Sequence, residues 1–138
     1  MSEAEKIEAF LAVGYFAVIG ASPKREKYGN KVLRSYIQAG KKVVPIHPAA
    51  HEVEGLKVFP SLTELAQSGS ASLPAVSVIT PPVVTERVLR EAHDLGIHNV
   101  WLQPGAESET AILFAQEAGM NLIASGPCLL VQLGFRDI

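Results

Sequence analysis

Residues 15–23 read Tyr15-Phe16-Ala17-Val18-Ile19-Gly20-Ala21-Ser22-Pro23, five apolar positions that end abruptly in a loop of small residues. A continuous apolar run this short suits a strand buried on both faces, and a glycine directly after it permits a tight turn. The same pattern returns at 42–46, 75–79, 99–102 and 121–124. The loops that follow these runs are His47-Pro48, Thr80-Pro81-Pro82, Gln103-Pro104-Gly105 and Ser125-Gly126-Pro127.

Between the runs the apolar residues recur at helical spacing. Val32, Leu33, Tyr36 and Ile37 line one helix face that ends at Gly40, and Ser61 with Glu64 caps a shorter helix through Leu65. Val84, Val88, Leu89, Ala92 and Leu95 form a stripe closed by Gly96, and Ala111, Phe114, Ala115 and Ala118 form another closed by Gly119. Ahead of the first run, Ser2 and Glu5 make a capping box, and Ala4, Ile7, Phe10 and Leu11 give residues 2–13 an amphipathic helix stopped by Gly14. Strands alternating with helices of this length demand right-handed crossovers. The expected fold is α/β: a three-layer Rossmann-like domain with a five-stranded parallel sheet, formed by residues 1–138 as one unit. Gln67 to Ser72, rich in Ser and Gly, reads as one mobile loop.

Composition narrows the function. Of 138 residues, 48% are hydrophobic and 19% charged, enough for a core and too few charges for a disordered chain. A formal net charge of −2 lacks the basic face that a general nucleic-acid binder needs. Cys128 is the single cysteine, so an intramolecular disulfide is excluded and a reducing, cytoplasmic setting is expected. The acidic start of the chain is unlike a signal peptide, and no apolar run approaches a membrane span, so no membrane partner is expected.

In an open parallel sheet, ligands bind beyond the carboxyl ends of the strands, where the strand order reverses. The five loops at that edge hold no carboxylate pair and no nucleophile beside a base, which points to binding without bond-breaking machinery and to no catalytic residues. Gly20 and Ser22 offer close backbone approach to a diphosphate, and Lys24, Arg25, Lys27 and Lys31 crowd the start of the next helix. A dinucleotide fingerprint would need second and third glycines after Gly20, and an acidic residue about 20 positions on to hold a ribose. Neither is present, which favours a ligand with extra phosphate, such as coenzyme A or NADP. His47 and His51 are separated by Pro48, so they do not form a helical metal pair, and no metal site is expected. His93 and His98 read as surface residues, Trp101 as core, and Cys128 as a small buried hydrophobe.

Taken together, Val18-Ile19-Gly20-Ala21-Ser22-Pro23, Tyr28-Gly29-Asn30-Lys31-Val32-Leu33, Val44-Pro45-Ile46-His47-Pro48, Thr80-Pro81-Pro82, Val100-Trp101-Leu102-Gln103-Pro104-Gly105 and Cys128-Leu129 resemble the stand-alone CoA-binding domain family. That family is similar to the amino-terminal CoA-binding domain of the succinyl-CoA synthetase alpha subunit. The resemblance implies that Gly20, Ala21, Ser22 and Pro23 cradle the CoA diphosphate, with Lys24, Arg25 and Tyr28 around the phosphates. It places Pro45, His47 and Pro48 beside the adenosine, where relatives usually carry Asn in place of His47. Thr80, Pro81 and Pro82 would form an apolar shelf that borders adenine or the diphosphate, and Gln103 and Gly105 would face the pantetheine arm. Relatives commonly have an Arg just before the cysteine, where this chain has Gly126-Pro127. The histidine phosphorylated in the synthetase belongs to a second domain, so ligase activity is not implied.

The function expected is therefore a small-molecule binder of CoA or acyl-CoA, without catalysis of its own. The competing readings are an NADP-binding oxidoreductase and a CoA-presenting partner of an acyl-CoA ligase or transferase. The acyl group, and whether the chain pairs with a partner enzyme or forms a homo-oligomer, stay open.

Overall fold

The computed structural model describes residues 1–69 and 72–138. Along the chain run α1 (Glu3–Ala12), β1 (Tyr15–Ile19), α2 (Tyr28–Gln38), β2 (Lys42–Ile46), a hairpin of β3 (Glu52–Val53) and β4 (Leu56–Lys57), and α3 (Leu62–Gln67). Then come β5 (Ala75–Val78), α4 (Pro82–Asp94), β6 (Asn99–Leu102), α5 (Glu109–Glu117), β7 (Asn121–Ile123) and α6 (Leu129–Gln132). The α/β class and the five-stranded sheet expected from the sequence are both present. Of the expected mobile loop, Gln67 closes α3, while residues 70 and 71 lie outside the described residues.

The sheet has the order β2-β1-β5-β6-β7, and all four pairings are parallel. After β1 the chain steps outward to β2, then crosses back to place β5 on the other side of β1. The loops leaving β1 and β5 therefore diverge, and a cleft opens between them at the carboxyl edge.

Alternation along β1 sorts the core into two layers, because successive side chains of a strand point to opposite faces. Phe16 and Val18 pack with Phe10 of α1, Val32, Leu33 and Tyr36 of α2, Trp101, and Leu129 of α6. Ala17 and Ile19 pack with Leu62 and Leu65 of α3, Leu89 and Ala92 of α4, and Ala111 and Ala115 of α5. Trp101 is fully buried, as its place in an apolar run predicts, and its indole N–H donates to the Pro127 carbonyl at 3.0 Å. Ser77 interrupts the apolar run of β5, yet it is satisfied: its hydroxyl lies 2.6 Å from the Tyr36 hydroxyl. Burial pushes the Tyr36 phenol well above its ordinary pKa, so the pair stays neutral.

Two elements escape the periodicity argument. The hairpin β3–β4 has two residues per strand and turns through Glu54 and Gly55, both with positive φ, the signature of a type I′ turn. The four-residue α6 is shorter than one apolar repeat. No helix is long and apolar enough to cross a membrane, and no cluster of three metal-ligating side chains occurs among the described residues.

Candidate functional site

The loop after β1 is fixed by two glycines. Gly20 has φ +93°, and a Cβ there would collide with the Ile79 carbonyl of the neighbouring strand's loop. Gly29, in the first turn of α2, lies so close to the Gly20 carbonyl that a Cβ would collide with it in turn. Between them, the Ser22 carbonyl accepts from Asn30 Nδ2 at 2.8 Å, and Ser22 Oγ accepts from the Lys24 amide at 3.1 Å. The first-turn amides of α2 have no carbonyl one turn earlier to bond, and Lys27 at the N-cap supplies no side-chain acceptor. A helix start of this kind, reached by a glycine-bearing loop, is suited to an anion.

The loop after β2 is shaped by His47. Its Nδ1 accepts from the amides of Ala49 and Ala50, both at 3.0 Å, so the ring proton of the neutral imidazole sits on Nε2. The loop after β5 is apolar by construction. Pro81 is the N-cap and Pro82 the first residue of α4, which removes two amide donors, and the amides of Val84 and Thr85 both return to the Pro81 carbonyl. Thr80 Oγ1 is taken up by Thr85 Oγ1 at 2.7 Å.

These three loops border one cavity of about 790 Å³. Gly20 and Ser22, His47 and Pro48, and Thr80 and Pro81 line its mouth. Its lining continues with Pro60, Ser61 and Thr63 and with the face of α4 bearing Val84, Arg87, Val88, Glu91, Asp94 and Leu95. Glu91 is committed, since its Oε2 accepts from the Thr63 amide at 3.2 Å and from the Thr63 hydroxyl at 2.6 Å. A shallower hollow of about 300 Å³ shares Thr80 and Pro81 and continues over Pro104 and Gly105.

The remaining residues singled out in the sequence lie elsewhere. Tyr28 and Gln103 meet on the α2 and α6 side of the sheet, where Tyr28 Oη is 2.7 Å from Cys128 Sγ and 3.3 Å from Gln103 Oε1. Burial, then the Cys128 contact, hold the Tyr28 phenol well above its ordinary pKa. Gln103 Oε1 also accepts the Leu129 amide at 3.1 Å, which fixes the orientation of the carboxamide and leaves Nε2 a buried donor without a partner. Cys128 is half-buried rather than fully buried. Arg25 turns to Glu54 at 3.2 Å and to the Ile138 carbonyl at 3.3 Å. Ala21 and Pro45 are buried, while Pro23, Lys24 and Pro82 are exposed.

The sequence reading did not single out Pro60, Ser61, Thr63, Arg87, Glu91 or Asp94 as site residues. For α4 a signal existed: Arg87 and Glu91 stand three and seven positions after Val84, and so interrupt an otherwise apolar stripe on the face it shares.

Residues 15–134 match the family model described as the CoA binding domain. The chain belongs to the CoA-binding domain family. A conserved hypothetical protein of Pyrococcus furiosus is 34% identical, with a TM-score of 0.77, over 86% of this chain and 97% of that one. The uncharacterized protein YneT of Bacillus subtilis is 25% identical over 122 residues, 88% of this chain and 87% of its own length. The dinucleotide-forming acetyl-coenzyme A synthetase 1 of Candidatus Korarchaeum cryptofilum, in its apo form, is 25% identical with a TM-score of 0.65. There the likeness covers 79% of this chain and 25% of the synthetase. In this CoA-binding domain the matched segment opens at β1 and includes all three loops at the mouth of the cavity.

Proposed function

We propose that this protein binds coenzyme A, free or acylated, in the cavity at the carboxyl edge of its sheet, in the cytoplasm and without catalysing a reaction on it alone. One observation carries the reading: the 790 Å³ cavity opens at the reversal between β1 and β5 and is bordered by the three loops that family resemblance assigns to the nucleotide. The diphosphate rests on the Gly20–Ser22 loop and the first-turn amides of α2. The adenosine lies between His47-Pro48 and the apolar Thr80-Pro81 shelf. The pantetheine arm leaves over Pro104 and Gly105.

Calorimetry with CoA and NADPH, and mass spectrometry of ligand released from undialysed protein, test this directly. CoA is expected to bind and NADPH to bind more weakly; NADPH binding in preference to CoA overturns the assignment. In the same assay Ser22→Asp keeps an acceptor for the Lys24 amide but adds a negative charge at the diphosphate. It should weaken CoA at least about tenfold without lowering the melting temperature.

A second reading, in which the chain presents CoA to a separate acyl-transferring enzyme, is supported by the similarity to one quarter of an acetyl-CoA synthetase. Copurification of such an enzyme with the tagged protein, lost on CoA removal, is its test.

A further inference from the structure

Two of the four cations that crowd the first loop in sequence, Arg25 and Lys31, are engaged elsewhere. Arg25 is held by Glu54 and the Ile138 carbonyl. Lys31 lies 3.6 Å from Asp137, and Arg34 is bonded to Asn30, Asp137 and the Arg25 carbonyl. Lys24 and Lys27 are exposed and do not line the cavity. Among the described residues that line the cavity, Arg87 is the one with a permanently cationic side chain.

Arg87 has no ion pair or side-chain hydrogen bond among the described residues. The acid one turn further along α4, Glu91, is occupied by Thr63, and Asp94 lies about two turns away. Val84 and Val88 flank Arg87 on the cavity face, so an apolar surface supports the stem while the guanidinium stays without an anion. The start of α4 offers no competing site, since Pro81 and Pro82 remove its first donors. From Pro82 to Arg87 the helix rises about 7.5 Å, at roughly 1.5 Å per residue. That spacing places Arg87 a sugar's width from the Thr80-Pro81 shelf against which the adenosine lies.

We infer that Arg87 is the specificity-determining residue for a second phosphate on the ligand, the ribose 3′-phosphate that separates CoA from dephospho-CoA. This rests on the CoA reading above. A guanidinium pairs with a phosphate monoester through two parallel, charge-assisted hydrogen bonds, and a ligand lacking that phosphate leaves the arginine as it is in the free protein. Discrimination thus comes from the phosphate contact alone.

The test is a cycle between residue and phosphate: affinities of CoA and dephospho-CoA for the intact protein, for Arg87→Gln and for Lys24→Gln. The intact protein and Lys24→Gln should prefer CoA by about tenfold or more. Arg87→Gln should bind both ligands alike, at the affinity the intact protein shows for dephospho-CoA, and the preference of the intact protein should shrink as salt rises. A preference that survives in Arg87→Gln, or one that vanishes in Lys24→Gln, overturns the inference. So does an equal loss for both ligands in Arg87→Gln, or an intact protein that does not discriminate. If the intact protein binds neither ligand, the CoA reading itself falls and takes this assignment with it.

Discussion

Gly29 sits in the first turn of α2 with its bare Cα against the Gly20 carbonyl, and Gly20 sits in turn against the Ile79 carbonyl. In a dinucleotide fingerprint the third glycine allows close packing of helix on strand. Here Gly29 performs that service nine positions after Gly20, which is why the spacing in the sequence looked like a missing glycine. Gly20 was read as a site of close ligand approach; its geometry shows that the neighbouring strand's backbone already excludes a side chain there, so a bulky substitution perturbs the loop before any ligand is considered. Gly29→Ala should cost roughly 1–3 kcal/mol in urea unfolding, as overpacking against backbone does, and unchanged stability would show that the loop yields freely. His47 stands where the family resemblance leads one to expect Asn, and its Nδ1 accepts the amides two and three residues on, much as an Asn carbonyl oxygen does in an Asx turn. The departure visible in the sequence is thus conservative in geometry, which no residue count reveals.

At the scale of elements, the five strands and the long helices were legible because burial on two faces and burial on one face leave different periods in the chain. The hairpin β3–β4 and the segment 135–138 left no such trace, yet together they brace the first loop. Glu54 in the hairpin turn holds Arg25 at 3.2 Å and Asn30 at 3.1 Å, while Asp137 holds Arg34 at 3.1 Å and Gln38 bonds both ways with Arg136. Arg34 also lies over the Phe135 ring. Partners about a hundred positions apart have no local signature, so cations that belong to this brace looked like a ligand's phosphate site. The hydrogen bond from Arg34 leads the causes that hold the Asp137 carboxyl below its usual range, with Lys31 adding to it. Because the folded pKa is the lower one, the brace is fully present above the ordinary carboxylate value and is lost only as pH falls through the depressed one. Protection factors of the Phe135, Arg136 and Ile138 amides, which remove the intrinsic pH dependence of exchange, should therefore hold in mildly acidic buffer and fall only in stronger acid, whereas Asp137→Asn should lower them already at neutral pH. Equal exchange in the variant and the parent would remove Asp137 from the brace.

For the whole molecule, the sequence pointed to the edge of the sheet where the cavity lies but not to which face of it. Gly20, Ser22, His47, Pro48, Thr80 and Pro81 meet at one cavity on the α3 and α4 side, whereas Tyr28 and Gln103 meet Cys128 on the other. That division depends on the parity of each strand's last residue and on where α4 docks, neither of which a loop motif encodes. A ligand in the cavity touches loops from both sides of the reversal, so it should stabilise the fold as a unit. At a CoA concentration about 100-fold above its dissociation constant the gain is about 2.7 kcal/mol, a rise of several degrees in melting temperature for a chain of this length. An unmoved melting curve at that concentration would mean that the native state does not hold CoA. The two interlocked glycines and the Asn30 bond to the Ser22 carbonyl have a kinetic corollary as well. The first loop is already ordered in the free protein, so the entropy of arranging it was met during folding and association need not wait for a rearrangement. Related ligands should arrive at similar rates, and their differences in affinity should be read in how long each one stays.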